Sequence, residues 1–247
     1  MHNGIAMRIL LAALAFAATA TSASAASDAA PFAPFHAEYA AVRNGEALGI
    51  TTLVLSDNHD GTWTLRSETT GTSGLAKLAG IHIVETSHFR WHDGRPVAID
   101  YDYRQDSAIK KRTRHAVFDP KTGEALVEEG GESFRYATAP DLIDRHAVTV
   151  ALAADLKRGA SAFDYKVAVK DHIEDMRYER AGTEKIEVPG GAFDAVLLRR
   201  VGEPGTDRKR IARSWFAESL GWMPVQIEQS EKKGDTFTLK LVSVHKD

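Results

Sequence analysis

The 247-residue sequence contains no cysteine. This absence excludes disulfides, thiolate metal sites, iron–sulfur clusters, cysteine nucleophiles and a lipid-modified N-terminal cysteine. A charge excess is also lacking, because 31 Lys and Arg stand against 34 Asp and Glu, a net charge of −3. The balance predicts no broad electrostatic field for nucleic acid or for an anionic membrane.

Long hydrophobic runs are scarce as well. The run Ile9–Ala18 has ten residues, whereas a helix that crosses a bilayer needs about 20. Arg8 precedes this run, and the small residues Ala23–Ala25 follow it in the pattern of a cleavage site. We therefore expect residues 1–25 to be a secretory signal peptide cleaved after Ala25, a periplasmic location and no transmembrane span.

The remaining chain is expected to form one unit. Either Met1 or Met7 can serve as the start of the signal peptide. Small residues and two prolines make residues 26–34 a linker, and residues 35–247 are predicted to be a single β-rich domain. We expect a monomer, and if it is exported its core must stabilise it without disulfides.

Alternation of apolar and polar residues predicts strands through most of the domain. In one segment Val97, Ile99, Tyr101 and Tyr103 alternate with polar residues and are expected to share a buried face. Short Gly, Pro and Asp turns separate the runs and favour hairpins in an antiparallel meander. Strands are predicted at Phe35–Val42, Leu48–Leu55, Trp63–Thr69, Ile81–Trp91, Val97–Arg104, Lys111–Phe118, Ala125–Glu129, Ser133–Ala137, Phe163–Lys170, Met176–Val188, Phe193–Val201, Arg208–Phe216, Met223–Ser230 and Phe237–Leu241.

One segment has helical spacing instead. Pro140–Leu156 carries apolar residues at intervals of three and four, with Asp141 suited to the N-cap and Gly159 to the end. A helix about 22 Å long cannot cover a sheet of ten strands about 48 Å wide. We therefore predict a mainly β fold, a curled antiparallel half-barrel or barrel of about ten or more strands, with one amphipathic helix inside or over it.

Three motifs in the second half of the chain resemble a known family. Asp144–Gly159 reads DRHAVTVALAADLKRG, Glu187–Phe193 reads EVPGGAF, and Trp215 precedes Met223–Gln226, MPVQ. As a set they resemble a bacterial family of secreted domains of unknown function, the one numbered three thousand one hundred and eight. Gln226 stands where that family usually has Arg.

The first half of the chain resembles the same family at Gly71–Gly80, Ser87–Phe89 and Gly94–Pro96. The likeness covers nearly all of the mature chain and implies no activity. It does imply an architecture similar to the half-barrels of periplasmic lipoprotein carriers, which bind acyl chains in an apolar concavity.

Residues that could carry metal or acid–base chemistry are scattered. His82, His88 and His92 share one parity of a strand, but residues six apart are about 20 Å distant, too far to share a metal directly. Asp100 and Asp102 share a face in the manner of glycosidase carboxylates, yet the surrounding alternation is typical of a solvated face. We predict no catalytic residue, no metal and no cofactor.

Two further features leave alternatives open. Basic clusters at Lys110–Arg114 and Arg208–Arg213 could contact lipid phosphates, although edge protection against aggregation or a solvated face is favoured. The loop Thr70–Gly80 could form a short helix that gates a cavity, or a surface loop with one hydrophobic anchor.

The favoured hypothesis is a non-catalytic binder or carrier of a lipophilic component of the cell envelope. The residues expected to line its interior are Leu75, Tyr101, Tyr103, Leu152 and Phe163. The alternative is a protein-interaction module in envelope assembly that binds an envelope protein. A hydrolase is the least favoured hypothesis, because no motif assembles a nucleophile, metal or acid–base pair.

Overall fold

The computed structural model describes residues 29–202, 212–230 and 234–246. The predicted signal peptide, its cleavage site and residues 208–210 of the second basic cluster lie outside these residues. Within the described ranges no helix is long and apolar enough to cross a membrane.

The described chain forms fifteen strands, two α-helices and one 3-10 turn at Glu218–Leu220. The helices are α1 (Gly74–Leu78) and α2 (Val148–Lys157). The strands are β1 (Phe35–Arg43), β2 (Glu46–Asp57), β3 (Trp63–Gly71), β4 (His82–His92), β5 (Arg95–Asp106), β6 (Arg112–Asp119), β7 (Glu124–Glu129), β8 (Glu132–Ala137), β9 (Ile143–Asp144), β10 (Phe163–Ala168), β11 (Ile173–Val188), β12 (Gly191–Arg200), β13 (Ala212–Ala217), β14 (Met223–Ser230) and β15 (Thr236–Lys246).

All fifteen described strands belong to one curled sheet. Its order is β8-β7-β6-β5-β4-β3-β2-β1-β15-β14-β13-β12-β11-β10-β9, so two meanders meet where β1 pairs with β15. The ladders are antiparallel except between β9 and β10. The sheet is not closed, but the Ala98 N–H of β5 donates to the Leu142 carbonyl just before β9, at 2.8 Å. The predicted mainly β, curled antiparallel fold is confirmed.

The predicted buried face of β5 is wrong in its first half. Ala98 is buried, whereas Val97 and Ile99 are partly exposed, and only from Tyr101 onward does the predicted face point inward. A bulge in the pairing of β4 with β5, between His88 and Phe89, is the reason. It inserts one residue into the register and exchanges the two faces.

The predicted start of the helix is also wrong, because α2 begins at Val148 and not near Pro140. Asp141 has a positive φ of 55°, and the residues after it are extended, since Ile143 and Asp144 pair with β10. Their backbone groups thus have partners outside a helix. The Asp144 Oδ1 then accepts the N–H groups of His146 and Ala147 at 2.9 and 3.0 Å and turns the chain into α2.

Helix α2 lies inside the curled sheet and fills part of its interior. Eight of its ten residues are buried, so it has no solvated face and is not amphipathic in the predicted sense. Val150 and Ala154 pack on the half of the sheet that contains Phe89 and Leu55. Residues on the opposite side of α2, such as Leu152, pack on β10–β13.

A buried carboxylate holds α2 near its C-terminal end. Asp155 is fully buried and accepts two hydrogen bonds from Arg95 at 3.1 and 2.9 Å. It also accepts the Tyr165 hydroxyl at 2.7 Å and pairs with Arg158 at 2.7 Å. Although burial lowers the pKa of Arg95, its hydrogen bonds to Asp155 raise it above the usual range. The helix is thereby joined to β5 and β10.

The hairpin β11–β12 curls back until its turn contacts β15. The Gly190 N–H donates to the Leu241 carbonyl at 2.8 Å. Under this hairpin Trp215 is buried, and its Nε1 donates to Glu184 at 3.0 Å. The Pro-Gly turn of the sequence motif therefore docks one end of the sheet onto another strand.

We expect Gly190→Ala to destabilise the fold. An added Cβ would lie 2.9 Å from the Val242 carbonyl oxygen and 3.1 Å from that of Leu241, so the turn must move away from β15. A loss of about 1–3 kcal/mol in the free energy of unfolding is expected, measured by urea denaturation. Gly202→Ala is the control, since nothing lies within 4 Å of that position; equal effects of the two variants would contradict the docking role.

We expect Asp155→Asn to destabilise the fold more than the removal of an exposed charge does. It leaves Arg95 partly buried without its bidentate acceptor, for an expected loss of about 3–5 kcal/mol in the free energy of unfolding. The control is Asp175→Asn, which removes an exposed pair with Lys166. Chemical denaturation with circular dichroism measures both, and a small effect at Asp155 would show that the buried pair is dispensable.

Candidate functional site

The interior of the curled sheet contains a cavity of about 740 Å³ next to the start of α2, and we call it the interior cavity. Its position follows from the strand register. Thr51 and Thr69, paired on β2 and β3, line it, and β3 ends two residues later at Gly71. We call this end of the sheet, where β3 ends and β4 begins, the upper end. Helix α2 lies below the cavity, with Val148 and Thr149 at its floor.

One part of the cavity wall is apolar. It is formed by inward-facing side chains of β2, β3, β11, β14 and β15, because successive strand residues alternate between the two faces of the sheet. These residues are Leu53, Leu65, Met176, Ile227 and Leu239. They would contact the apolar part of a ligand.

Another part of the wall carries two arginines that share one carboxylate. Glu174 at the start of β11 pairs with Arg145 at 3.1 Å and also with Arg200 of β12. Burial raises the pKa of Glu174, but the hydrogen bond from Arg200 and the charge of both arginines lower it below its usual range. Two guanidinium groups against one carboxylate leave one positive charge in excess at this wall.

A third group on the wall is acidic. The Tyr101 hydroxyl of β5 donates to Glu85 of β4 at 2.7 Å. Burial, followed by the charge of Glu85, raises the pKa of Tyr101, so this hydroxyl stays a donor. The cavity therefore has an acidic patch at β4–β5 and a basic patch at Arg145 and Arg200.

Several polar groups of the wall are free to bind a ligand. Among the described residues, the side chains of Ser67, Tyr178 and Gln229 line the cavity and have no hydrogen-bond partner. Burial raises the pKa of Tyr178, which keeps its hydroxyl protonated. A molecule with a polar group could bond to them without breaking a protein contact.

A serine, a histidine and an aspartate meet beside the cavity. The Ser87 hydroxyl donates to Asp144 at 2.8 Å and lies 3.0 Å from the His146 Nδ1. Serine thus lies between the other two, whereas in a hydrolytic triad the imidazole lies between serine and carboxylate. Ser87 is fully buried, and so the cluster joins β4 to the start of α2 and does not present a nucleophile.

A smaller cavity of about 220 Å³ lies at the lower end, between α2 and the turn after the 3-10 helix. Its lining is mostly apolar and includes Phe35, Ala153 and Met223. Leu53 and Thr149 line both cavities, so they form the partition between the two.

The five residues predicted to line the interior are dispersed. Tyr101 lines the interior cavity. Tyr103 lies at a separate groove over β4–β7, and its hydroxyl donates to Gln105. Leu152 and Phe163 are buried in the core between α2 and the sheet, and Leu75 is 83% exposed on α1.

The histidines considered in the sequence pair individually with carboxylates. His82 contacts Glu68, His88 contacts Asp100 and His92 contacts Asp141. Asp102 pairs with His115 on the neighbouring strand β6. Within the described part of the chain, no three His, Asp or Glu side chains are arranged to hold a metal ion.

Sequence reasoning missed the charged residues of the cavity. Arg145 was part of a quoted motif, but nothing in it indicated a cavity wall. Glu85 and Ser67 have the inward parity of their strands, and a polar residue at such a position is the signal that could have identified them.

The comparison with known families decides what kind of protein this is. Residues 35–242 match a family described as "Protein of unknown function (DUF3108)". The chain belongs to this family. The resemblance seen in the motifs is therefore confirmed, and no curated protein matches the chain.

A solved structure supports the fold of this DUF3108 protein. It is similar to the crystal structure of a beta-barrel-like protein of domain of unknown function DUF1849 from Brucella abortus. The TM-score is 0.55 at 9% identity, and the match covers 89% of this chain and 100% of that one. At this identity the likeness concerns the fold alone.

The buried carboxyl group beside the cavity predicts a pH dependence of stability. Burial raises the pKa of Asp144, so the folded state favours its protonated form. This contribution is present below the unfolded pKa, near 4, and is lost as the pH rises through the folded pKa. In urea unfolding from pH 4 upward, we expect the stability of the wild type to fall relative to that of Asp144→Asn. The exposed Asp194→Asn is the control, and parallel curves for wild type and Asp144→Asn would contradict the assignment.

Proposed function

We propose that this protein is a non-catalytic binder or carrier of a lipophilic molecule with a polar group, acting in the cell envelope. The observation that carries the proposal is the interior cavity of about 740 Å³. Cavities that hold small ligands are typically about 300–1,000 Å³. The cavity lies within the curl of the sheet, where part of the surface of a ligand would be shielded from water.

The two parts of the wall support an amphiphilic ligand and not a pure hydrocarbon. The apolar part would contact an acyl or similar chain. The excess positive charge at Arg145 and Arg200 would favour an anionic or hydrogen-bond-accepting group. Tyr178 adds a free hydroxyl donor on the same side, because it lies on β11 opposite Arg200.

The smaller apolar cavity supports a ligand with a flexible tail. It begins where Leu53 and Thr149 end the interior cavity. Displacement of either side chain by the ligand would extend the apolar path past α2. The head of the ligand would then remain at the upper end.

A role in the envelope rests on the signal peptide predicted over residues 1–25 and on the resemblance to secreted domains. An exported carrier would hold a lipophile in the aqueous space between membranes. A non-catalytic role is proposed because Ser87, the one hydroxyl here bonded to a histidine among the described residues, is buried away from ligand.

Filling the interior cavity tests this proposal. A dansyl-labelled fatty acid should bind the wild type with an increase in fluorescence, and Ser67→Trp should weaken binding about tenfold or more, because the indole takes the space of the chain. The matched control is Ser56→Trp, which lies on β2 with the outward parity of its strand. Titration by fluorescence measures all three.

Native mass spectrometry of protein purified from its own envelope then identifies the ligand. A bound lipophile of defined mass supports the proposal. An empty protein that also fails to bind the probe refutes it. The alternative, an interaction module, is favoured by β8, which pairs with β7 alone in the described sheet; one specific protein recovered with the ligand-free chain would support it instead.

A further inference from the structure

The three most exposed large hydrophobic side chains of the described residues occur at one corner of the molecule. Leu75 and Leu78 of α1 are 83% and 81% exposed, and Ile109 in the loop after β5 is 87% exposed. The remaining exposed hydrophobics of the described chain are at most 41% exposed. Exposure of this extent is unfavourable in water and indicates a surface that binds an apolar partner.

Backbone contacts hold these two segments together. The Ala108 N–H donates to the Ala79 carbonyl at 2.8 Å and joins the loop to the end of α1. On its other side α1 packs through the buried Ala76, whose carbonyl oxygen would be 2.6 Å from a Cβ at Gly71. Helix α1 therefore sits on the sheet by Ala76 and presents Leu75 and Leu78 outward.

Lysines surround the apolar side chains. Lys77, Lys110 and Lys111 are exposed, and none of them has an ion-pair partner among the described residues. The acidic residue at the end of β5, Asp106, is paired with Arg104 at 2.5 Å, and the nearby charge of Lys111 also lowers its pKa. We call this surface the apolar–basic tip, and it comprises Leu75, Lys77, Leu78, Ile109, Lys110 and Lys111.

We propose that the apolar–basic tip docks on the surface of an anionic phospholipid bilayer. Aliphatic side chains enter the boundary between headgroups and acyl chains, and neighbouring lysines bind lipid phosphates. A protein partner fits less well, because the buried centres of protein interfaces are depleted in lysine. The tip is local, so it is compatible with the net charge of −3 of the whole chain.

The tip lies at the upper end of the sheet, beside the interior cavity. Thr69 lines the cavity, Gly71 ends β3, and α1 begins at Gly74. The loop with Ile109 follows the end of β5 at the same end of the sheet, because β4 and β5 are antiparallel. Docking would bring the cavity close to the lipid. The inference goes beyond the proposed function, since docking requires no ligand in the cavity.

Flotation of the full chain with vesicles tests the docking. The wild type should bind vesicles of phosphatidylcholine with phosphatidylglycerol, should bind phosphatidylcholine alone much less, and should lose binding at high salt. The triple variant Leu75→Ser, Leu78→Ser, Ile109→Ser should bind at least tenfold more weakly. Its matched control is Val117→Ser, an exposed apolar residue on β6.

The contribution of the lysines to docking is tested with two further variants that change the net charge equally. Replacing Lys77, Lys110 and Lys111 by Gln should remove the preference for phosphatidylglycerol. Replacing Lys121, Lys166 and Lys185 by Gln changes the net charge equally and should leave the preference intact. Unchanged circular dichroism and thermal unfolding show that each variant folds.

A fluorescent label on the apolar–basic tip tests the contact with the bilayer directly. Because the sequence has no cysteine, Ile109→Cys can carry a single environment-sensitive dye, and Lys185→Cys carries it as the control. A blue shift on vesicles at position 109 alone supports docking by the tip. No vesicle binding, equal binding of all variants, or equal shifts at both positions would overturn it. Binding of the dansyl fatty acid in solution should be unchanged by the tip variants, which separates this test from that of the cavity.

Discussion

The position of helix α2 at the centre of the curled sheet depends on two buried carboxyl groups, one near each end of the helix, that are hydrogen-bonded there. Asp144 accepts Ser87 and two backbone N–H groups, and Asp155 accepts Arg95 and Tyr165. Either group left unpaired in this interior would strongly oppose folding. The bonds also set the position of the helix along the axis of the curled sheet. Since α2 fills the middle and lower part, the upper part remains as the interior cavity.

Much of the fold could be predicted because strand alternation and turn chemistry are local properties. Each of the eight strands from β1 to β8 was predicted within a few residues, and the short helix α1 was among the alternatives for its loop. The start of α2 was not predictable in this way. Leu142–Asp144 has helical spacing, but its backbone bonds to Ala98 and to β10, which are distant in sequence. The bulge at Ile99, where β5 has one residue more than β4, is likewise a property of strand pairing.

The candidate site was harder to predict than the fold, for a related reason. Its wall brings together residues from strands far apart in the chain, such as Glu85 and Arg200. Tyr101 was identified because its apolar ring follows the inward parity of β5. Phe163 follows the inward parity of β10 and Leu152 lies on α2 itself, yet the helix packs against the sheet at that level and leaves no space beside them. Alternation predicts which side chains point inward but not where the helix fills the interior.

The pairing of β1 with β15 has a consequence for how the chain must fold. Phe35 lies opposite Lys246, so the first strand of the sheet is completed by the last. During synthesis from the N-terminus, β1 can pair with β2 early, but its second edge has no partner until β15 has been made. Such long-range pairing slows folding and exposes an unpaired strand edge to aggregation. The topology thus makes early release of incomplete chains hazardous and favours a chain kept unfolded until its C-terminal strand is available.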